Sequence, residues 1–181
     1  MRYDVRAFAG HSLASISGLA GSLPAGAVLG EERWENNIKY RLFYNDGGDT
    51  IPPGYMFKSK GAGQGPYSVT VTTVTESVSG VRGVCHNASS TTGTYFWGAV
   101  FGYPVRMSAS NISIATGVFV GVAAAGLCVT TSTTAHYVAQ NIGDAATPLS
   151  TALTQTGSGT TSKCGTRFFV FFEERAAWIS D

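Results

Sequence analysis

Polar and apolar positions alternate with a period of two in the stretch covering residues 67–101. Val69 and Val71 fall on one side of its first run, and the intervening Ser and Thr residues fall on the other. This alternation is typical of a half-buried β-strand. Two further runs follow at 84–86 and 95–101, separated by Gly, Ser and Asn residues. The pattern predicts the start of an antiparallel meander.

The stretch before residue 67 has the same character. Residues 27–31 are predicted to form a short strand, and 32–37 are polar and turn-like apart from Trp34. Residues 38–44 alternate again and predict a strand. The N-D-G-G-D run at 45–49 predicts a turn, because Asn, Asp and Gly tolerate positive φ. Another short strand is predicted at 54–58.

Beyond residue 101, G-Y-P at 102–104 predicts a turn and 105–107 a further strand. Residues 112–129 are almost uncharged and long enough to span a membrane, but they are rich in Ala, Gly, Val and Thr. Two strands at 117–122 and 127–131 are the preferred interpretation, and no membrane partner is expected. Residues 155–163 predict a loop. The run R-F-F-V-F-F at 167–172 predicts a strand that is paired centrally or covered by another subunit.

Residues 1–26 form neither a helical nor a strand period. We expect an extended N-terminal arm that becomes ordered on a neighbouring subunit, preceding a β-domain at 27–181. A secretory signal peptide is the alternative, but Asp4 and the many Ser and Gly residues disfavour it.

Composition narrows the function classes. Only 13% of the 181 residues are charged and the formal net charge is +1, so the clustered cations of a nucleic-acid-binding protein are missing. Three cysteines at unrelated spacings favour buried free thiols in a reducing compartment. No motif indicates a cofactor, and neither a nucleophile elbow nor a phosphate loop followed by a helix is found.

Three alternatives that need spatial proximity stay open. A zinc site could form from Cys85 or His86 with His136 and Cys164. A glycosidase pair could form between carboxylate clusters. A carbohydrate-binding surface could use Trp34, Tyr95, Trp97 and Tyr103, because aromatic faces stack on sugars.

Several short motifs occur in an order and spacing that resemble the capsid cement, or head decoration, proteins of tailed bacteriophages. They are G-E-E-R at 30–33, Y-R-L-F-Y-N-D-G at 40–47, I-P-P-G at 51–54, Y-S-V-T-V-T at 67–72, G-V-C-H-N at 83–87, T-G-T-Y-F-W at 92–97 and I-G-D-A at 142–145.

The resemblance implies an all-β protein, an antiparallel barrel or sandwich, that assembles as a homotrimer. It implies that the protein binds the major capsid protein on the outer surface of the icosahedral head after synthesis in the host bacterial cytoplasm. Such a protein is a virion structural component, not an enzyme, and the family has no catalytic residues to transfer. A carbohydrate-binding module or a tail-fibre or baseplate module of a virion is the alternative function.

The residues expected at interfaces are apolar side chains of the arm, aromatic side chains of the strands and the aromatic C-terminal segment. They are Leu13, Ile16, Leu19, Leu23, Trp34, Tyr95, Trp97, Phe101, Tyr103, Phe168, Phe169 and Trp178.

Overall fold

A computed structural model of the chain describes residues 19–61, 65–72, 80–85, 90–110, 114–115, 117–122, 126–130, 138–142, 155–157 and 160–172, with backbone alone for 110, 155–157 and 160–167. These residues form strands joined by turns and contain no α-helix, so the all-β prediction is confirmed. The strands are β1 (Leu19–Ala20), β2 (Glu32–Glu35), β3 (Ile38–Asn45), β4 (Met56–Ser59), β5 (Ser68–Val71), β6 (Val81–Cys85), β7 (Thr94–Ser110), β8 (Phe119–Val122), β9 (Cys128–Thr130), β10 (Ala139–Asn141), β11 (Gln155–Gly157) and β12 (Thr160–Phe171).

The long strand β7 organises the sheet. Its first half pairs with β3 and β6, and its second half pairs with β12 and β9. The paired strands form two closed series, or circuits, and β7 belongs to both. The first circuit runs β7–β6–β4–β5–β3–β7, and the second runs β7–β12–β10–β8–β9–β7. Each circuit contains one parallel pair, β3 with β5 or β7 with β9. Closure leaves few free strand edges.

Two hydrophobic cores accompany these circuits. Every strand of the first circuit contributes to an aromatic-rich core that includes Phe43, Phe57 and Phe96. A larger core takes in the second circuit and the opposite faces of β3 and β7, with aliphatic side chains such as Met107 and Val120. Neighbouring residues on β3 and β7 belong to different cores. Both faces of these strands are therefore buried over part of their length.

Two glycines make room for the Phe57 ring. A Cβ atom on Gly83 would lie 2.7 Å from the Ala99 carbonyl oxygen and 3.0 Å from Phe57 Cζ. A Cβ atom on Gly98 would overlap the Phe57 ring and lie 3.0 Å from Phe43 Cδ2. Only glycine permits the large ring to pack directly against the backbone of these two strands.

The predicted turn at 102–104 is wrong, because β7 continues through it. Gly102 adopts a φ of +109°, which suits glycine, and a Cβ atom there would overlap the Asn37 carbonyl oxygen. The registers of β7 with β3 and with β12 both shift close to this point. Such irregularities redirect a strand, and this is how β7 serves both circuits.

The hairpin β2–β3 also corrects the prediction. The strand lies at Glu32–Glu35 and not at 27–31, and the turn is limited to Asn36 and Asn37, with φ of 50° and 65°. Two consecutive residues of positive φ give the type I′ turn favoured by two-residue hairpins. The charged residues of β2 predict a loop, but they form a strand because an edge strand does not need an apolar face.

Three other predictions need revision. Strand β4 lies between β5 and β6, so the stretch at 67–101 is not a simple meander. The loop predicted at 155–163 includes the β11–β12 pairing. β6 begins at Val81 and contains Gly83.

The predicted turn at 45–49 is confirmed and is built around Asn45. This fully buried side chain donates from Nδ2 to the Asp49 backbone carbonyl oxygen at 3.0 Å and to the Ser90 backbone carbonyl oxygen at 2.9 Å. Its Oδ1 accepts from the Gly47 N–H at 3.1 Å. A buried amide satisfied on both sides fixes the turn in place.

The arm predicted at 1–26 overlaps the described residues at its end. Leu19 and Ala20 pair with Tyr95 and Thr94 of the same chain, and Leu23 packs against the larger core. Residues 1–18 lie outside the described part, so the arm and the domain boundary stay predictions.

Candidate docking surface

Four aromatic rings form a continuous row on the outer side of the sheet. Trp34 meets Phe101 edge-on with ring centroids 6.1 Å apart, and Phe101 meets Phe169 at 5.1 Å. Phe169 lies 6.4 Å from Phe171. We call these four side chains the aromatic face. They come from β2, β7 and β12, which are distant in sequence.

Strand register explains why the rings share one face. Trp34 lies opposite Lys39, Lys39 opposite Phe101, and Phe101 opposite Phe171, so one row crosses four strands. Directly opposed residues project to the same side of a sheet, and so do residues two apart on one strand. The Trp34 ring reaches across β3, since two strand spacings of about 9.6 Å exceed the 6.1 Å between its ring and Phe101.

The aromatic face remains accessible to solvent. Trp34 is 60% exposed, and Phe101, Phe169 and Phe171 are half-buried. On the same strand, Phe168 and Val170 are buried. Contiguous exposed apolar patches on a protein surface mark sites of interaction.

A charged cluster borders the aromatic face. Glu32 accepts from Lys39 at 2.9 Å and from Arg41. Partial burial acts to raise the pKa of Glu32, but the hydrogen bonds and charges of Lys39 and Arg41 outweigh it, and the pKa is lowered. Glu32 is therefore ionised at neutral pH. The candidate docking surface thus combines an apolar row with one carboxylate that is paired with two cations at its edge.

Two ionisable groups, Cys85 and Asp46, are engaged within the fold. Burial raises the pKa of the Cys85 thiol to about 12, with a hydrogen bond from the Ser90 backbone partly opposing the shift, so the thiol is protonated at neutral pH. Asp46 is held by Lys60 at 2.8 Å and by Ser68 Oγ at 3.2 Å, and the Lys60 hydrogen bond lowers its pKa. All three histidines lie outside the described ranges. Within those ranges, no group of three or more His, Cys, Asp or Glu side chains could hold a metal ion.

No protein-family model, curated protein or solved structure matches the chain. The family resemblance of the motifs therefore stays a prediction. The described part of the chain also has no helix that is long and apolar enough to cross a membrane. Instead, β8 and β9 occupy part of the almost uncharged stretch at 112–129 and pair antiparallel.

The structure distributes the predicted interface residues over three environments. Trp34, Phe101 and Phe169 lie on the aromatic face, and Tyr103 is half-buried on β7, two residues from Phe101. Trp97 and Phe168 are 4% and 1% exposed and belong to the larger core. The remaining residues are Leu19, Leu23 and Tyr95, which are half-buried around β1, and Leu13, Ile16 and Trp178, which lie outside the described residues.

The sugar-binding set suggested by the sequence is not brought together. Trp97 is in the core, and Tyr95 packs on Tyr44 with ring centroids 4.9 Å apart, away from the row that contains Trp34. Sequence reasoning also missed Phe171. A period of two within 168–172, with Phe169 and Phe171 facing away from Phe168 and Val170, was the available signal.

Proposed function

We propose that this protein is a non-catalytic structural component of a virion, a cement protein that binds the outer surface of a bacteriophage head. In this role it stabilises contacts between major capsid subunits and associates with itself as a homotrimer. The order of the sequence motifs supports the family, and the aromatic face supports the mode of action. A docking protein requires contact area and rigidity, not reacting groups.

The aromatic face is the observation that carries the proposal. Aromatic side chains dominate the energetics of protein interfaces, because each removes a large apolar area from water while losing little conformational freedom. The four rings are already held by contacts with one another and by the paired strands below. Preorganisation of this kind lowers the entropic cost of binding. Many copies on one shell would multiply modest individual affinities.

The proposal is tested by occupancy on expanded capsids. Purified protein is added to shells that lack it, and bound copies are counted after washing by quantitative gel or cryo-electron microscopy. Wild type is expected to bind in a fixed ratio to the major shell protein. The double variant Trp34→Ala, Phe169→Ala is expected to lose most of this occupancy.

The matched control is Val28→Ser, which removes another exposed apolar side chain, 61% exposed, that is not part of the aromatic face. It should bind as wild type does. Absence of wild-type binding to the shell would refute the cement function. Equal occupancy by wild type and the double variant would refute the role of the aromatic face.

A carbohydrate-binding or tail-fibre module is the second candidate, and the 60% exposure of the Trp34 indole favours it. A flat ring with Lys39 and Glu32 nearby can stack on a sugar and hydrogen-bond its hydroxyls. A glycan array with the isolated protein distinguishes the two functions. Sugar binding that is lost in Trp34→Ala, together with no capsid binding, would favour the second candidate.

A further inference from the structure

Strand β2 ends one side of the sheet. It pairs with β3, and no second strand is paired with it among the described residues. The Leu42 backbone N–H donates to the Glu31 backbone carbonyl oxygen at 2.9 Å. Along an antiparallel pair, residues that hydrogen-bond to the partner strand alternate with residues that do not. The main-chain groups of Arg33 and Glu35 are therefore directed at β3. Those of Glu32 and Trp34 are directed away from β3, at the outer edge.

This edge is held in a strand geometry before any partner arrives. The two-residue turn at Asn36 and Asn37 fixes the hairpin, and the β2–β3 register is continuous from Glu32 to Glu35. Edges of this kind add a strand from another chain when nothing prevents it. The side chains of β2 determine which strand fits.

Those side chains have a self-complementary order. Arg33 and Glu35 project to one side of the strand, with Arg33 Nε 3.4 Å from Glu35 Oε2, and Trp34 projects to the other. If a second β2 lies antiparallel and centred on Trp34, Arg33 of each copy faces Glu35 of the other. The two Trp34 residues then exchange main-chain hydrogen bonds, and their rings lie side by side.

The neighbouring registers are less favourable. Moving the centre to the bond between Arg33 and Trp34 is a one-residue slip, which would oppose residues that project to different sides of the sheet. Centring on Arg33 places the two Arg33 side chains opposite each other. Like charges in directly opposed positions are destabilising. Centring on Glu32 or on Glu35 likewise opposes two identical carboxylates. The register centred on Trp34 is therefore the one that pairs opposite charges twice and opposes no like charges.

We propose that two copies of this chain associate through their β2 edges, antiparallel and centred on Trp34. The contact follows a two-fold axis and joins the two hairpins into a four-stranded sheet. It also joins the two aromatic faces into one row. Because each copy uses one strand edge, the contact leaves other surfaces available for a trimer, and on a shell it would link neighbouring trimers.

Charge reversal followed by charge exchange tests the register. Sedimentation equilibrium over a wide concentration range should show a particle mass that at least doubles for wild type, because each copy contributes one β2 edge. Arg33→Glu and Glu35→Arg each create two opposed like-charge pairs, and each should raise the dissociation constant of this step at least about tenfold. The double variant Arg33→Glu, Glu35→Arg restores opposite charges and should return to within about threefold of wild type.

Lys60→Glu is the control, because it disrupts the exposed ion pair with Asp46 without touching β2. It should associate as wild type does. Far-ultraviolet circular dichroism and thermal unfolding of each variant establish that the hairpin is folded. A wild-type mass that does not double, or a double variant as weak as the single ones, would overturn the proposal. Binding of wild type to capsids is measured independently of both results, so this inference and the proposed function fail separately.

Discussion

Two groups of aromatic rings in this molecule have similar internal geometry and different surroundings. In the inner group, Phe57 lies edge-on to Phe43 at 4.8 Å and to Phe96 at 5.1 Å, and all three side chains are buried. On the aromatic face, Phe101 meets Phe169 edge-on at the same 5.1 Å, but solvent reaches the rings. The inner group is covered by every strand of the first circuit. The outer group has strands on one side alone.

This difference predicts that the inner rings contribute mainly to the stability of the fold and the outer rings mainly to binding. Covered rings gain the full benefit of leaving water when the chain folds, so their loss should destabilise the protein. Rings on the aromatic face realise only part of this gain on folding, and under the proposed function the rest is gained when a partner covers them. Removing an inner ring should therefore lower the free energy of unfolding strongly, whereas removing an outer ring should weaken binding and change unfolding little.

The largest effect is expected for Phe57→Ala. Removing this ring leaves a cavity between Gly83 and Gly98, and the free energy of unfolding should fall by about 3–5 kcal/mol. Denaturant unfolding at neutral pH measures this value. A loss below that of Trp34→Ala would contradict the distinction between the two groups.

Gly98→Ala tests the same packing from the opposite side. The added methyl group overlaps the Phe57 ring, and overpacking of this kind should cost about 1–3 kcal/mol. Gly48→Ala is the control, because nothing lies within 4 Å of a Cβ atom there. Combining Gly98→Ala with Phe57→Leu should recover part of the loss. Equal unfolding midpoints for the two alanine variants would count against the packing.

Alkaline pH should weaken the first circuit through Cys85. Its pKa is about 12 in the folded protein against an ordinary value of 9.0, so the unfolded chain loses the proton first. This contribution is fully present below pH 9.0 and falls as pH rises toward 12, by up to about 1.4 kcal/mol per pH unit. The stability of Cys85→Ala should have a correspondingly shallower pH dependence. Identical slopes for the two proteins would disprove the assignment.

Trp34→Ala should change stability little and binding strongly. A ring that is 60% exposed contributes about 0.5–1 kcal/mol to folding through its contact with Phe101. Unfolding measurements beside the capsid-occupancy assay provide the comparison. A large loss of stability would show that Trp34 contributes to folding as the inner rings do, which would contradict the distinction.

The smallest effect is expected for Glu32→Gln at the border of the aromatic face. The ion pairs with Lys39 and Arg41 are screened by solvent, and their loss should cost no more than about 0.5 kcal/mol. Because the folded pKa of Glu32 is lowered, its contribution is present above the ordinary value of 4.5 and is lost as pH falls through the lowered pKa. High salt should abolish the difference between the two proteins in urea unfolding.

The all-β class could be predicted from the sequence, because the alternation in β3 and β5 and the turn at Asn45 are set by residues that are close together in the chain. The sequence was insufficient where long-range pairing decides. The position of β4 between β5 and β6 rests on contacts distant in sequence. The charged strand β2 has no apolar alternation to reveal it. The docking surface was partly predictable: Trp34, Phe101 and Phe169 were identified as interface residues, but only the β7–β12 register joins them to Phe171.

The sharing of β7 between the two circuits has a consequence for how the molecule opens. Neither circuit can separate from the other while β7 keeps its hydrogen bonds to both sets of neighbours. β4 belongs to the first circuit and β10 to the second, and no strand pairs with both of them. Their backbone amides should nevertheless exchange with deuterium at one common limiting rate, because the two circuits open together. The protein should behave as a single cooperative unit under mechanical load, a useful property in any layer that is stretched from within.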